Sequence, residues 1–157
     1  MEIAELIDEY AVGPQKLRET IAGMTAEQID AAPVPGKWST RQVICHLADF
    51  EPVYADRMKH VIAEDQPTFP GGFDRQFAEH LAYDKRDIKE ELRLVDVVRS
   101  QMVRILRSLP SEAFERTGIH AVRGPMTLRT LLEAITNHIP HHVRFIEEKK
   151  RAMESGG

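Results

Sequence analysis

A single cysteine, Cys45, stands in a chain of 157 residues. An internal disulfide needs two thiols and a CxxC metal clip needs as many, so both are excluded. Long hydrophobic runs are missing too: no apolar stretch nears the roughly 20 residues that span a bilayer. The opening MEIAELIDEY is acidic and amphipathic. It lacks the basic n-region and apolar stretch of a signal peptide. Nor is there a surplus of positive charge. With Lys+Arg at 21 against Asp+Glu at 25, the formal net charge is -4. No overall basic field therefore draws the chain to nucleic acid or to an anionic membrane. The expectation is a cytoplasmic globular protein whose partner is a small-molecule substrate, with no nucleic acid and no membrane.

What is present is ordinary in bulk: 42% hydrophobic and 29% charged residues, enough for one domain with a proper core. Apolar positions recur at three and four residues, without the sustained alternation of a sheet, and predict an all-α fold of four long helices. The first runs from Ile3 to about Met24, with Gly13-Pro14 expected to bend or interrupt it. The second opens at the capping box Ser39-Thr40-Arg41-Gln42 and carries Val43, His46, Leu47, Phe50, Val53, Tyr54, Met58 and Val61, with a kink expected at Pro52. Asp84 is the expected N-cap of the third, whose stripe is Ile88, Leu92, Val95, Met102, Ile105 and Leu109. The fourth follows Thr127 and buries Leu128, Leu131, Leu132, Ile135, Ile139, Phe145 and Ile146. Residues 1–152 read as one four-helix-bundle domain and 153–157 as a flexible tail. A Thr25-Ala26-Glu27-Gln28 capping box predicts a short helical turn before the PVPG turn. The Gly- and Pro-bearing links Asp65 to Tyr83 and Pro110 to Met126 suit a crossover connection.

The unusual feature is TNHIPHHVRFIEEKK, where His138, His141 and His142 crowd into a helix. Helix residues four apart share a face, and the stripe Leu128, Leu131, Ile135 continues to 138 and 142. His141 lies about 60° away from His138 on the wheel. His46 follows Val43 by three and precedes Phe50 by four, so it too points inward. Three imidazoles on two facing helices with an open position suit zinc, nickel, copper or iron. A hydrogen-bonded core is the other reading, and Pro140 between the two helix-face histidines either spoils or creates their alignment. Spacing alone leaves that choice open.

The stretch KWSTRQVICHLADFE followed by NHIPHHVRFI resembles the DinB-like bundles, and within them the YfiT-type metal-dependent hydrolases related to thiol-dependent S-transferases. The pattern W-[ST]-x-[RK]-[EQ]-[VIL]-x-x-H-[LIV]-x-[DE] is matched by Trp38, Ser39, Arg41, Gln42, His46, Leu47 and Asp49. H-x-x-H-H is filled by His138, His141 and His142. Tyr54, Arg57, Glu64, Asp65 and Pro67 match the segment after the first histidine. The resemblance spans about Gly36 to Ile146. It implies a four-helix bundle with a crossover (DinB/YfiT-like) and a divalent metal, zinc or nickel with manganese or iron as alternatives, held by His46, His138 and His142. The activity it implies is thiol S-transfer or hydrolysis on a small molecule, with a low-molecular-weight thiol as possible cofactor. A metal-containing bundle that only binds a ligand or protein partner is the alternative. It also implies a homodimer.

Other residues carry two readings each. Asp49, three after His46, could take the second imidazole N–H or orient a metal water, or be a helix-surface carboxylate. Arg57, near three turns beyond His46, could meet an anionic substrate or the thiol cofactor, or snorkel and pair with an acid. Tyr54 could project into a pocket or pack in the core. Trp38 is expected to staple the helix entrance. His60, His80 and His120 are expected on the surface or in loops, and Cys45, turned about 100° from His46, is not expected to be catalytic.

Overall fold

The computed structural model describes residues 1–156; Gly157, the last residue of the expected tail, lies outside the described residues. Four long helices form the bundle: α1 (Ile3–Ile21), α3 (Thr40–Ala63), α5 (Ile88–Arg107) and α6 (Leu128–Ser155). The short α2 (Ala26–Asp30) sits between the first two, and α4 (Asp74–His80) between the second and third. The cap chemistry is where the sequence puts it at three starts. Thr25 and Ser39 each close a reciprocal box with Gln28 and Gln42, and the Thr127 side chain accepts from the Thr130 amide. Each satisfies an amide that the helix itself leaves without a partner. At α5 the cap is Asp87 rather than the expected Asp84; its carboxylate accepts from the Glu90 amide at 3.1 Å. Both aspartates precede the same apolar stripe, and the one adjoining its first residue wins. α6 continues to Ser155, so the expected tail is helical through most of its length.

Packing neighbours are α1 with α6, α6 with α3, α3 with α5, and α5 with α1. The consecutive pairs α1/α3 and α5/α6 therefore face each other across diagonals. Crossovers run through the 22–39 and 108–127 connections. The 64–87 link, which the sequence had also suggested for a crossover, joins neighbours. These links are not purely irregular. β1 (Thr68–Phe69) pairs in parallel with β2 (Thr117–His120), which pairs antiparallel with β3 (Gly124–Thr127). Strands of two and four residues are too short for period-2 patterning to register. The small sheet ties the two longer links together and forms a wall beside the bundle. A 3-10 turn at Ser111–Glu115 precedes it and buries Phe114.

The bundle interior has two apolar clusters, one holding Tyr10, Ala55, Met102 and Ile135, the other Leu17, Ala48, Val95 and Ile139. Between them on every long helix lies a polar layer. Arg99 (1% side-chain exposure) pairs with Glu51 (0%) at 2.6 Å. Its remaining donors reach the Tyr10 carbonyl at 2.7 Å and the Ile135 carbonyl at 2.9 Å. This explains Gly13-Pro14, which interrupts nothing: α1 runs unbroken through it. Pro14 has no N–H to give the Tyr10 carbonyl four residues back, which is left free to accept from Arg99. A Cβ at Gly13 would stand 2.3 Å from Arg99 Nη1. The pair is a socket for the guanidinium.

Candidate metal centre

His46 comes from the second turn of α3, and His138 and His142 from successive turns of the neighbouring α6. α6 passes through Pro140 without a break, and the proline ring is exposed. The three rings form a near-equilateral group, with centroids 4.7, 4.8 and 4.8 Å apart. One ligand nitrogen from each lies within 4.8 Å of the others, and His46 Nε2 meets His138 Nε2 at 3.0 Å. Burial pushes all three pKa values down, to about 2 for His138 and about 3 for His142, with the neighbouring imidazoles adding to the effect. The rings are therefore neutral at physiological pH and present lone pairs.

Hydrogen bonding alone does not satisfy this group. Between two neutral imidazoles only one nitrogen of a facing pair can donate. Even then the buried Nδ1 atoms of His46 and His138 both lack a partner. Three imidazole nitrogens gathered within 4.8 Å of one another are the donor set of a three-histidine metal site with an open position. A facing separation near 3.0 Å is close to the roughly 3.3 Å that bonds of about 2.05 Å impose in tetrahedral geometry. The residues fit a divalent metal. Trp38 and Phe50 pack on the His46 ring, at 5.2 and 4.9 Å between centroids, and shelter it from bulk water. Trp38 therefore covers the site as well as anchoring the helix entrance.

The other expected residues fall in different places. His141 is exposed and lies edge-on against Phe145 and His142. Asp49 does not take the second imidazole N–H of His46, whose Nδ1 is without a partner; both its oxygens accept from Arg86, at 2.6 and 3.0 Å. Arg86 also bridges to Glu91, so this cluster fastens the loop before α5 to α3. Cys45 is fully buried, with Sγ 3.4 Å from the Tyr83 carbonyl and its thiol pushed up to about 11 by burial. Folded protein is expected to resist alkylation by iodoacetamide at pH 8 and to take one label per chain in denaturant; rapid labelling of the native state would contradict the burial.

A cleft of about 460 Å³ opens beside the histidines, with Phe50, Tyr54, Arg57, Asp74, His138 and His141 on its walls. Tyr54 and Arg57 line this cleft. His120, expected on the surface, is buried and lines this cleft from β2. His60 and His80 are exposed, as expected. Asp74 and Arg123 are further lining residues that the helical periodicity gave no reason to select, since both sit outside the long helices. A smaller opening of about 230 Å³ reaches His142 from the other side, past Trp38, Phe145 and Lys149.

The sequence profile of the DinB superfamily matches residues 9–146. The chain belongs to the DinB superfamily. Among its DinB relatives is "Putative metal-dependent hydrolase OB0782" of Oceanobacillus iheyensis, 30% identical over 144 residues that cover 92% of this chain and 83% of the relative. "Putative metal-dependent hydrolase YfiT" of Bacillus subtilis is 28% identical over 141 residues, 89% of this chain and 79% of the relative. The solved YfiT structure, described as "a probable metal-dependent hydrolase with an unusual four-helix bundle topology", superposes with a TM-score of 0.90 at 27% identity. That superposition covers 98% of this chain and 88% of YfiT. No helix among the described residues is long and apolar enough to cross a membrane.

Proposed function

We propose that this DinB protein is a metal-dependent enzyme that activates a small thiol or water for attack on a small molecule, as a thiol S-transferase or a hydrolase. The observation that carries the reading is the convergence of three neutral imidazoles, with two facing Nε2 atoms 3.0 Å apart. His46, His138 and His142 hold a divalent cation, zinc or nickel, with manganese or iron as further candidates. Bound there, the metal supplies a Lewis acid that brings the pKa of water or a thiol toward neutrality.

The protein's own residues do the rest. Trp38 and Phe50 keep bulk water from the His46 side, and the cleft on the His138 side admits the substrate. Tyr54 and Arg57 contact the substrate or thiol from the α3 wall. Asp49 being engaged by Arg86, Asp74 is the carboxylate on the cleft wall available to accept a proton. A thiol needs less help from a base than water does because its pKa is already lower, so a cleft wall with one carboxylate favours thiol transfer.

The direct test is metal content by mass spectrometry on protein purified without a metal-affinity tag. About one metal per chain is expected. A content far below one, unrestored by zinc, nickel or manganese, would overturn the reading. Full occupancy without turnover across thiols, electrophiles and esters would instead favour a metal-containing bundle that only binds a ligand.

A further inference from the structure

Arg57 is the most unusual charge in the molecule. Its residue exposure is 4%, yet no carboxylate lies within 4 Å of it among the described residues. The other deeply buried guanidinium, Arg99, has Glu51 and two carbonyls. Arg57 has one carbonyl, Pro70 at 2.6 Å, and feels the charge of Asp74, which shares its cleft but forms no ion pair with it. Its planar face is covered by Tyr54, Phe69 and Phe73, whose ring centroids lie 5.0, 5.4 and 5.6 Å away. Aromatic faces stabilise the cation but leave the N–H edges of the fork without acceptors. A buried charge without a counter-charge is destabilising, and a ligand anion would offset that.

Two further donors share the cleft. Arg123 is exposed on the turn between β2 and β3 and has no ion pair among the described residues. His120 is held in one tautomer: its Nδ1 accepts from the amides of Val122 and Arg123 at 3.1 and 3.0 Å, which puts the proton on Nε2. That Nε2–H has no partner in the protein and is not sealed from the cleft. The ring sits flush against Gly71, where a Cβ would come within 2.3 Å of Nε2, so the glycine keeps the donor edge clear. Arg57, His120 and Arg123 line the same cleft, and burial lowers the His120 pKa, with Arg57 and Arg123 lowering it further. Against two arginines the cleft lining carries one acid, Asp74.

We propose that this cleft is a receptor for a small organic carboxylate, held by the Arg57 fork and Arg123, with His120 Nε2–H as a third donor, beside the histidine group. The volume of about 460 Å³ is that of a small-ligand site. A carboxylate matches the fork in a way that an amide or alcohol does not. The inference rests on the proposed function only for the meaning of its position; the binding itself needs no metal.

The test uses metal-free protein titrated with succinate and, in parallel, with succinamide, followed by the Arg57 Nε–H resonance. Succinate is expected to give a saturable shift and succinamide none. Arg123→Ala, at an exposed position, is expected to weaken succinate several-fold, and Arg57→Lys, which keeps the charge but loses the fork, about tenfold. No saturable shift with succinate, an equal response to the amide, or unchanged affinity in Arg123→Ala would overturn the proposal. Should Arg57→Lys misfold, the amide comparison and Arg123→Ala still decide. Metal content measured on the protein as purified, before the metal is removed, separates the two readings: about one metal per chain without succinate binding sinks only the receptor, and succinate binding by a protein that neither carries nor takes up metal sinks only the metal centre.

Discussion

Glu51→Ala is expected to destabilise the protein by about 3–5 kcal/mol, because it leaves the Arg99 guanidinium charged and unpaired at the bundle centre. A domain of this kind has roughly 5–15 kcal/mol in total, so the variant approaches the edge of folding. In a chain of this size each kcal/mol moves Tm by about 2–4 °C, and a fall of about 10 °C is expected in thermal unfolding. Gly13→Ala acts on the same element from the other side. The added methyl, 2.3 Å from Arg99 Nη1, displaces the guanidinium from its socket. The double replacement Glu51→Leu with Arg99→Met removes both charges and fills the space with apolar atoms; much of the loss should return. A drop below about 1 kcal/mol for Glu51→Ala would mean that the pair contributes little and that the polar layer is plastic.

His138→Ala should remove metal binding in practical terms. Loss of an outer-shell partner already costs about 10–100-fold in metal affinity, so losing one of three direct ligands should cost at least about 100-fold. Dialysis against a metal buffer followed by mass spectrometry reads this directly; wild-type occupancy in the variant would exclude His138 as a ligand. The same substitution has a signature in the metal-free protein. The folded-state pKa values of His138 and His142, about 2 and about 3, lie below the unfolded value of about 6.5. As pH falls below about 6.5, the unfolded chain takes up protons that the folded chain refuses, so stability falls with pH. Each such histidine contributes up to about 1.4 kcal/mol per pH unit. Urea unfolding of metal-free protein from pH 7 to pH 5 should show this loss, and His138→Ala should be shallower by one proton. Equal slopes would mean that the His138 ring is solvated in the folded state.

Much of this centre was legible in the chain. The i, i+4 spacing of His138 and His142 put both rings on one face, and the place of His46 in its stripe turned it inward, because helical geometry converts spacing into direction. Ser39 and Thr25 marked their helix starts because a side-chain cap is a local hydrogen bond. Asp84 and Asp87 show the limit of the same rule: two competent caps three residues apart differ only in which one adjoins the packed stripe. Asp49 has the position expected of a partner to His46, but Arg86, thirty-seven residues away, claims its carboxylate. Arg99 and Glu51 lie on apolar stripes, where a charge reads as an exception until its counter-charge is placed opposite.

Local order therefore followed from sequence alone: helix content, most caps and the inward aim of three histidines depend on interactions within a few residues. Tertiary structure alone decided which helices are neighbours and which are diagonal. It also decided that Gly13-Pro14 receives Arg99, and that β1 and β2 bring Phe69 and His120 around Arg57. Those outcomes rest on contacts between segments dozens of residues apart. Their energies depend on burial and charge pairing, which periodicity along one element does not encode.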